Sequence, residues 1–244
     1  MRIAVAGATG LVGRPLVAQA RAAGHEVVEI ARSRGIDLTA GDEISTALTG
    51  VDAVIDVVQS PSLEQQVATE WFTNVAERLG NAAQQAGVRR TVALSIVGVD
   101  RTPDFGYYVA KLAHEDATRS NAPGPVIVRA TQFHDFAGLL LDWGRDGDRA
   151  AVLDFPSQPI AVDEVARTLL DRATAAEVDH RDIAGPQQER TLDQARRLLD
   201  HRGEQHVAVE AAPTSAAMQA GSALPGPDAL RLGPTYDAWL AGTD

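Results

Sequence analysis

Cysteine is absent from the 244-residue chain, which excludes disulfides, thiolate metal sites and cysteine nucleophiles. Basic charge is scarce relative to acidic: 22 Lys and Arg stand against 33 Asp and Glu, for a formal net charge of −11. Nucleic acids and anionic membranes are themselves polyanions, so neither is an expected partner. No long apolar run or signal-peptide pattern occurs, and the expected location is the cytoplasm. The histidines at 25, 114, 134, 180, 201 and 206 form no spaced ligand set, and His114 with Asp116 or His134 with Asp135 is too small a group. A metal is therefore not expected. What remains, 45% hydrophobic and 23% charged, suits one enzyme-sized core with a small appendage.

The chain opens on an apolar strand, Arg2 to Ala6, that runs straight into Gly7-Ala8-Thr9-Gly10-Leu11-Val12-Gly13. Glycines at this spacing, after a strand and before a helix, suit a dinucleotide pyrophosphate. Gly7 makes the tight turn, Gly10 lets the backbone approach phosphate, and Gly13 lets the helix pack closely. The helix that follows, about Leu11 to Ala23, offers free N–H groups and its positive dipole end to an anion. Thr9, Leu11 and Val12 between the glycines join the expected cofactor site. An ordinary structural turn is the plainer alternative.

A second strand, His25 to Ala31, is followed by Arg32-Ser33-Arg34, where a Rossmann unit meets the adenosine ribose. An NAD site usually carries an acidic residue there, for the 2′-hydroxyl. Two guanidiniums and a hydroxyl instead suit a 2′-phosphate, so NADP is the expected cofactor, ahead of NAD. Otherwise Arg32 and Arg34 are solvated loop charges.

Further strand-like runs at 53–58, 91–95 and 125–129 alternate with helical patterns, as parallel βαβ units do. Leu63, Val67, Trp71, Val75, Leu79 and Ala83 recur every fourth residue and predict one core-facing helical stripe. Gly87 suits that helix's C-cap, with Arg89-Arg90 complementing its negative end. The helix bearing Trp71 and Phe72 has more apolar surface than one sheet face needs and could pair with a second copy as a homodimer, although the sequence leaves the oligomeric state open. Helices are predicted near 162–172 and 192–201, with Asp163-Glu164 as a helix start. The Ala/Ser/Gly/Pro-rich stretch 211–227 reads as a loop and a candidate mobile cover. The expected fold is α/β: a Rossmann doubly wound parallel sheet over 1–140, with a small mixed substrate lobe over 141–244 interleaved with it.

A second chemical signal is Gly106-Tyr107-Tyr108-Val109-Ala110-Lys111. Tyr107 and Lys111, four apart, share one helix face. An ammonium beside a phenol favours the phenolate, so the pair suits proton transfer, and Lys111 could also hold the nicotinamide ribose. Ser95, at a strand end, supplies a third hydrogen bond to a substrate oxygen. Tyr and Lys at this spacing also occur by chance, and it is the glycine loop that gives them weight.

With these residues in view, the chain resembles the short-chain dehydrogenase/reductase superfamily, and within it the atypical NmrA-like branch of NAD(P)-binding oxidoreductases, in bacterial form. The resemblance is carried by Gly7–Gly13, Gly35-Ile36-Asp37-Leu38-Thr39, Ala86-Gly87-Val88, Leu94–Asp100, Tyr107–Ala113, Val128–Phe133 and Ile160–Ala166. It implies that Asp37 and Leu38 border the adenine and that Val57-Val58-Gln59 lies under the cofactor. It also implies that Ser95, Tyr107 and Lys111 are catalytic and that Gln132 and Phe133 flank nicotinamide and substrate. Asp37 as a turn former and Gln132 as a strand-end cap are the plainer readings. The expected activity is NADP-dependent reduction of a small carbonyl, quinone or enone. The alternative from another class, a non-catalytic NADP(H)-sensing regulator, is also found in this branch. An epimerase or dehydratase holding NAD would favour an acid after the second strand.

Overall fold

The computed structural model describes residues 1–242; positions 243 and 244 of the expected lobe lie outside the described residues. In chain order its elements are β1 (Arg2–Ala6), α1 (Gly13–Ala22), β2 (Glu26–Ile30), α2 (Glu43–Ala47), β3 (Ala53–Asp56), α3 (Gln65–Gln85), β4 (Arg90–Ile96), α4 (Gly106–Asn121) and β5 (Pro125–Ala130). They continue with α5 (Phe136–Gly144), β6 (Arg145–Asp146), β7 (Arg149–Leu153), β8 (Pro156–Ser157), α6 (Val162–Thr174), β9 (Ile183–Ala184) and β10 (Glu189–Arg190). The last are α7 (Thr191–His201), β11 (Ala208–Ala212), α8 (Ala216–Gln219), β12 (Leu230–Arg231) and α9 (Tyr236–Leu240). Two compact units result: 1–96 with 106–129 and 163–181, and 97–105 with 130–162 and 182 onward.

In the first unit β1 is nearly all buried apolar residues, as a strand covered on both faces must be. It pairs in parallel with β2 on one side and β3 on the other, and β3 pairs in parallel with β4. The chain thus steps outward from β1 to β2 and returns past it to β3. That reversal makes the carboxyl ends of β1 and β3 the switch point, where ligands of such sheets bind. In the second unit Ala130, the last residue of β5, pairs in parallel with Ile183 of β9, and β9 pairs with β12. Seven strands follow the order β12-β9-β5-β4-β3-β1-β2. This mostly parallel sheet with flanking helices is the Rossmann α/β fold.

The periodic stripe of α3 is core only in its second half. Val75, Leu79 and Ala83 are buried, whereas Leu63 precedes the helix and it and Val67 are about half exposed (48% and 49%). Phe72, expected on a face open to a second copy, is instead fully buried against α4, between the rings of Tyr107 and His114. Gly87 takes a left-handed φ of +72° just past α3, as its capping role requires. Arg89 and Arg90 do not serve that helix end. Arg89 pairs with Asp52, and Arg90 donates to the carbonyls of Arg172 and Ala175, so it closes the far end of α6. Asp163 and Glu164 lie in the first turn of α6.

In the second unit the stretch expected to be a loop carries the end of β11 and all of α8. Ser215 caps α8 through Met218 N, and Asp104 accepts hydrogen bonds from Ser215 Oγ and Ala217 N. Arg101 donates to Leu224 O, and a Cβ on Gly98 would lie 2.0 Å from Ser222 O. These ties pin the segment to the 97–105 turn, which low-complexity composition does not reveal.

Candidate functional site

The glycine loop sits at the switch point. Gly7 has φ +85°, and a Cβ there would lie 2.8 Å from Val57 O, beyond the end of β3. Gly13 has an ordinary φ, but its Cβ would lie 2.1 Å from Gly7 O and 2.7 Å from Ala8 C, so only glycine lets α1 start this close to the turn. The α1 N-terminus has neither a capping side chain nor an acidic residue in its first turn. Among the described residues the N–H groups of Thr9, Leu11, Val12 and Gly13 have no acceptor. Unpaired amides at a helix start, beside a cradle that a side chain would fill, fit a pyrophosphate. Val12 is buried and Leu11 exposed.

At the end of β2, Arg32, Ser33 and Arg34 form one exposed 3₁₀ turn. Arg34 is engaged: Glu29, one residue before the strand's end, binds Arg34 at 2.9 Å and Arg21 at 2.7 Å. The Arg21 hydrogen bond, ahead of opposing burial and Arg34, holds the Glu29 carboxyl below its ordinary range. The Arg32 carbonyl accepts from Gly35 N at 3.0 Å, but its guanidinium makes no hydrogen bond or ion pair among the described residues. Arg14, which sequence spacing did not single out, donates to Thr9 O and lines a surface recess with Arg21, Glu29, Ser33 and Arg34. Asp37 accepts from Thr39 N at 2.8 Å and Thr39 Oγ1 at 2.7 Å, as a turn former does. Leu38 packs in the core with Ile44 and Leu48.

The second constellation surrounds α4. Tyr107 is half-buried and packs against the cluster of Ala68, Phe72 and Ala110, as Val58 and Trp71 do. Val57 and Val58 are half-buried, and Gln59 is exposed. Tyr107 and Lys111 share one side of α4, yet their polar ends have different surroundings. The Lys111 ammonium donates to Leu94 O at 2.9 Å and to His114 Nδ1 at 2.9 Å, and sits 4.6 Å from the Phe72 ring centre. His114 Nε2 lies 3.0 Å from Asp56 Oδ2, and Asp56 Oδ1 accepts from Val58 N at 3.0 Å. Lys111, His114 and Asp56 are all buried.

Burial pulls Lys111 down to about 8, with Asp56 and then Glu115 opposing. Burial and the neighbouring Lys111 push His114 down, against the pull of Asp56. For Asp56 burial acts upward, but His114, the Val58 amide and Lys111 outweigh it and keep the carboxyl low. At neutral pH the row reads carboxylate, neutral imidazole, ammonium. Since an ammonium only donates, His114 Nδ1 must accept, and the ring proton on Nε2 goes to Asp56. The sequence predicts a Tyr107 phenolate favoured by Lys111. The structure differs: burial pushes the phenol up to about 12, and the ammonium directs its hydrogen bonds to Leu94 and His114.

Ser95 is buried on β4. Its hydroxyl helps hold Glu115 ionised without reaching good hydrogen-bond geometry. Arg129 grips that carboxylate through two nitrogens at 2.8 Å, and Arg119 adds a bond at 2.8 Å. In the second unit Gln132 is buried, its Oε1 accepting from Ser157 Oγ at 2.8 Å and its carbonyl from Ile160 N at 2.9 Å. Phe133 is half-buried and bridges to Ile160.

In the sequence His114 is weighed only as a metal ligand and Asp56 is not singled out, although signals for both exist. A carboxylate ends an otherwise apolar strand, and His114 lies one turn beyond Lys111. Lys111 is the one lysine among the 22 basic Lys and Arg residues of the chain, so a lysine stands where arginine serves everywhere else.

A glycine cradle at the switch point of a parallel sheet, with unpaired amides over it, defines a dinucleotide-binding Rossmann protein. The chain belongs to the NAD(P)H-binding family, which matches residues 34–176. Over 117 residues it is 31% identical to the photosystem II assembly factor Ycf39 of Synechocystis sp., a match covering 42% of this chain and 36% of that protein. Among solved structures it resembles the NADPH-dependent quinone oxidoreductase QOR2 of Escherichia coli, complexed with NADPH (TM-score 0.70, 17% identity, 98% of this chain and 99% of that one). It also resembles a nucleoside-diphosphate-sugar epimerase of Staphylococcus aureus (TM-score 0.72, 14% identity, 98% and 99% covered). A dTDP-4-dehydrorhamnose reductase of Clostridium acetobutylicum shares the fold too (TM-score 0.72, 19% identity, 88% and 84% covered). At identities of 14–19% the likeness to these three structures is one of fold.

Proposed function

We propose that this chain is an NADP(H)-dependent oxidoreductase of the NmrA-like type that reduces a small carbonyl, quinone or enone. The observation that carries the reading is the Tyr107–Lys111 pair on α4, a half-buried phenol one turn from a buried, oriented ammonium. Residues 1–140 would supply the dinucleotide site and 141–244 the substrate lobe. The cofactor, when bound, supplies the hydride. The amides of Thr9 and Leu11 to Gly13 would receive its pyrophosphate, and Asp37, Leu38 and Val57 to Gln59 would border it. Arg32 would meet the 2′-phosphate, joined by Ser33 and, if Glu29 yields it, Arg34.

The raised Tyr107 pKa keeps the phenol protonated at neutral pH, which is the state a proton donor needs. Lys111 has used two of its three N–H donors, on Leu94 and His114, and the third would hold a ribose hydroxyl. For Ser95 to give a substrate its hydrogen bond, its hydroxyl must turn from Glu115. Little opposes that, because Arg129 and Arg119 already hold that carboxylate. Gln132 and Phe133 would flank the substrate.

The Escherichia coli neighbour's printed name pairs NADPH with quinones, which puts quinones first in a panel with aldehydes and enones. NADPH consumption should be seen with wild type, and Tyr107→Phe should lower turnover by about 10²- to 10⁴-fold while leaving NADPH affinity in place. Full turnover by Tyr107→Phe would remove the tyrosine from the chemistry. NADPH binding without consumption by any panel compound would favour the sensing regulator instead.

A further inference from the structure

We infer that Asp56 and His114 are positioning residues, which hold Lys111 as an oriented ammonium through the buried row Asp56–His114–Lys111. The inference deepens the proposed function and rests on Lys111 being the residue that meets the cofactor.

A buried ammonium is unfavourable unless it is paired and hydrogen-bonded. The groups facing Lys111 come from four elements: Asp56 at the end of β3, the Phe72 ring of α3, the Leu94 carbonyl of β4, and His114 with Glu115 on its own helix. Tyr107 lies on the same helix one turn earlier. Among the described residues no carboxylate touches the ammonium directly. Asp56 reaches it through His114, whose two nitrogens lie 3.0 Å from Asp56 and 2.9 Å from Lys111.

The imidazole is fixed between them. Phe72 covers one face, with ring centres 4.8 Å apart and planes inclined by 32°. The Val58 amide anchors the other carboxylate oxygen. With Asp56 accepting at one end and an ammonium donating at the other, only the neutral Nε2–H tautomer satisfies every group. The row therefore transmits a negative charge to Lys111 without letting a carboxylate occupy its remaining donor. No proton is transferred along it: the chemistry is orientation and charge balance.

An apolar trio would pack as well with no buried charge, so packing does not account for the row. Nor does a general need for positive charge, because the other basic side chains are all arginines.

With one lysine in the chain, labelling lysine with ¹⁵Nζ and ¹³Cε yields a single side-chain resonance whose titration can be followed without cofactor or substrate. Wild type should titrate near 8. Asp56→Asn should lower the midpoint by about one pH unit or more, because the anion that favours the ammonium is gone. His114→Gln, whose amide can still accept from Lys111 and donate to residue 56, should stay near wild type, whereas His114→Leu should fall as Asp56→Asn does. In the wild type, imidazole ¹⁵N shifts should report the neutral Nε2–H form of His114. NADPH affinity should fall as pH rises through the lysine midpoint, and that fall should move to lower pH in Asp56→Asn.

A midpoint unmoved by Asp56→Asn, equal midpoints for His114→Gln and His114→Leu, or an Nδ1–H tautomer would each overturn the row. NADPH affinity indifferent to the lysine midpoint would overturn its role toward the cofactor. If Asp56→Asn does not fold, the two His114 variants and the wild-type tautomer still decide. Should the row pass these tests while no panel compound consumes NADPH, the oxidoreductase reading alone fails.

Discussion

The glycine-rich turn and the buried face of α4 belong to one unit and treat charge in opposite ways. At the turn α1 has no acidic residue in its first turn, and among the described residues backbone N–H groups are left unpaired, so an incoming anion meets donors already aimed at it. On α4 the charges are resident: Lys111 is balanced through His114 by Asp56, and Glu115 is clamped by Arg129 and Arg119. The first arrangement suits a ligand that carries its own charge. The second suits chemistry in which a fixed cation must keep its orientation away from water, where its field is strongest.

The difference can be sharpened by removing parts of each. The largest loss of stability should come from α4. The Glu115 side chain is fully buried (0% exposed), and Glu115→Ala would take this carboxylate away from both Arg129 and Arg119, for about 3–5 kcal/mol by urea denaturation. Its pH signature has a definite sign. Burial raises the Glu115 carboxyl, but Arg129, Ser95 and Arg119 together hold it below its ordinary 4.5. The stability it contributes is therefore present above about 4.5 and lost as pH falls through the lowered value. The wild-type urea midpoint should drop over that acid range, and a variant Glu115→Gln should lose that part of the drop.

A smaller effect is expected at the turn. Gly13→Ala places a methyl 2.1 Å from Gly7 O, and separating the backbones should cost about 1–3 kcal/mol. Here stability and NADPH titration should weaken together, since one backbone path serves both. If Gly13→Ala leaves NADPH affinity intact, the cradle is only a structural turn. The smallest effect concerns coenzyme choice. Arg32→Ala should lower the preference for NADPH over NADH by about tenfold, the worth of one charge-assisted hydrogen bond. Arg34→Ala should lower it less, because Glu29 already holds that guanidinium. Equal preference in wild type and in both variants would remove the 2′-phosphate from this turn.

Legibility in the sequence followed the same division. The glycine spacing, the strand before it and the basic turn after β2 are local patterns, and the structure places the glycine turn at the switch point and the basic turn at the end of the neighbouring β2. Tyr107 and Lys111 were legible as a pair because helical periodicity relates residues four apart. Their states were not. The spacing predicts a phenolate favoured by the lysine, whereas the ammonium turns to Leu94 and His114, and burial raises the phenol. The α3 stripe misled in the same way. Period four marks a face but not how far the partner extends along it, so Val67 is exposed while Phe72, off the stripe, is buried under α4.

By itself, then, the sequence determined the Rossmann class, the cradle and the candidate pair, because strand hydrophobicity, glycine sterics and helical period act over a few residues. The tertiary structure alone decided that Asp56, Phe72, Leu94 and His114 meet around the single lysine. It also decided that Arg34 is already engaged, that Ser95 faces Glu115, and that α8 is pinned to the 97–105 turn. Those outcomes depend on burial and on contacts between residues tens of positions apart, and no local pattern carries the desolvation that sets a buried group's charge.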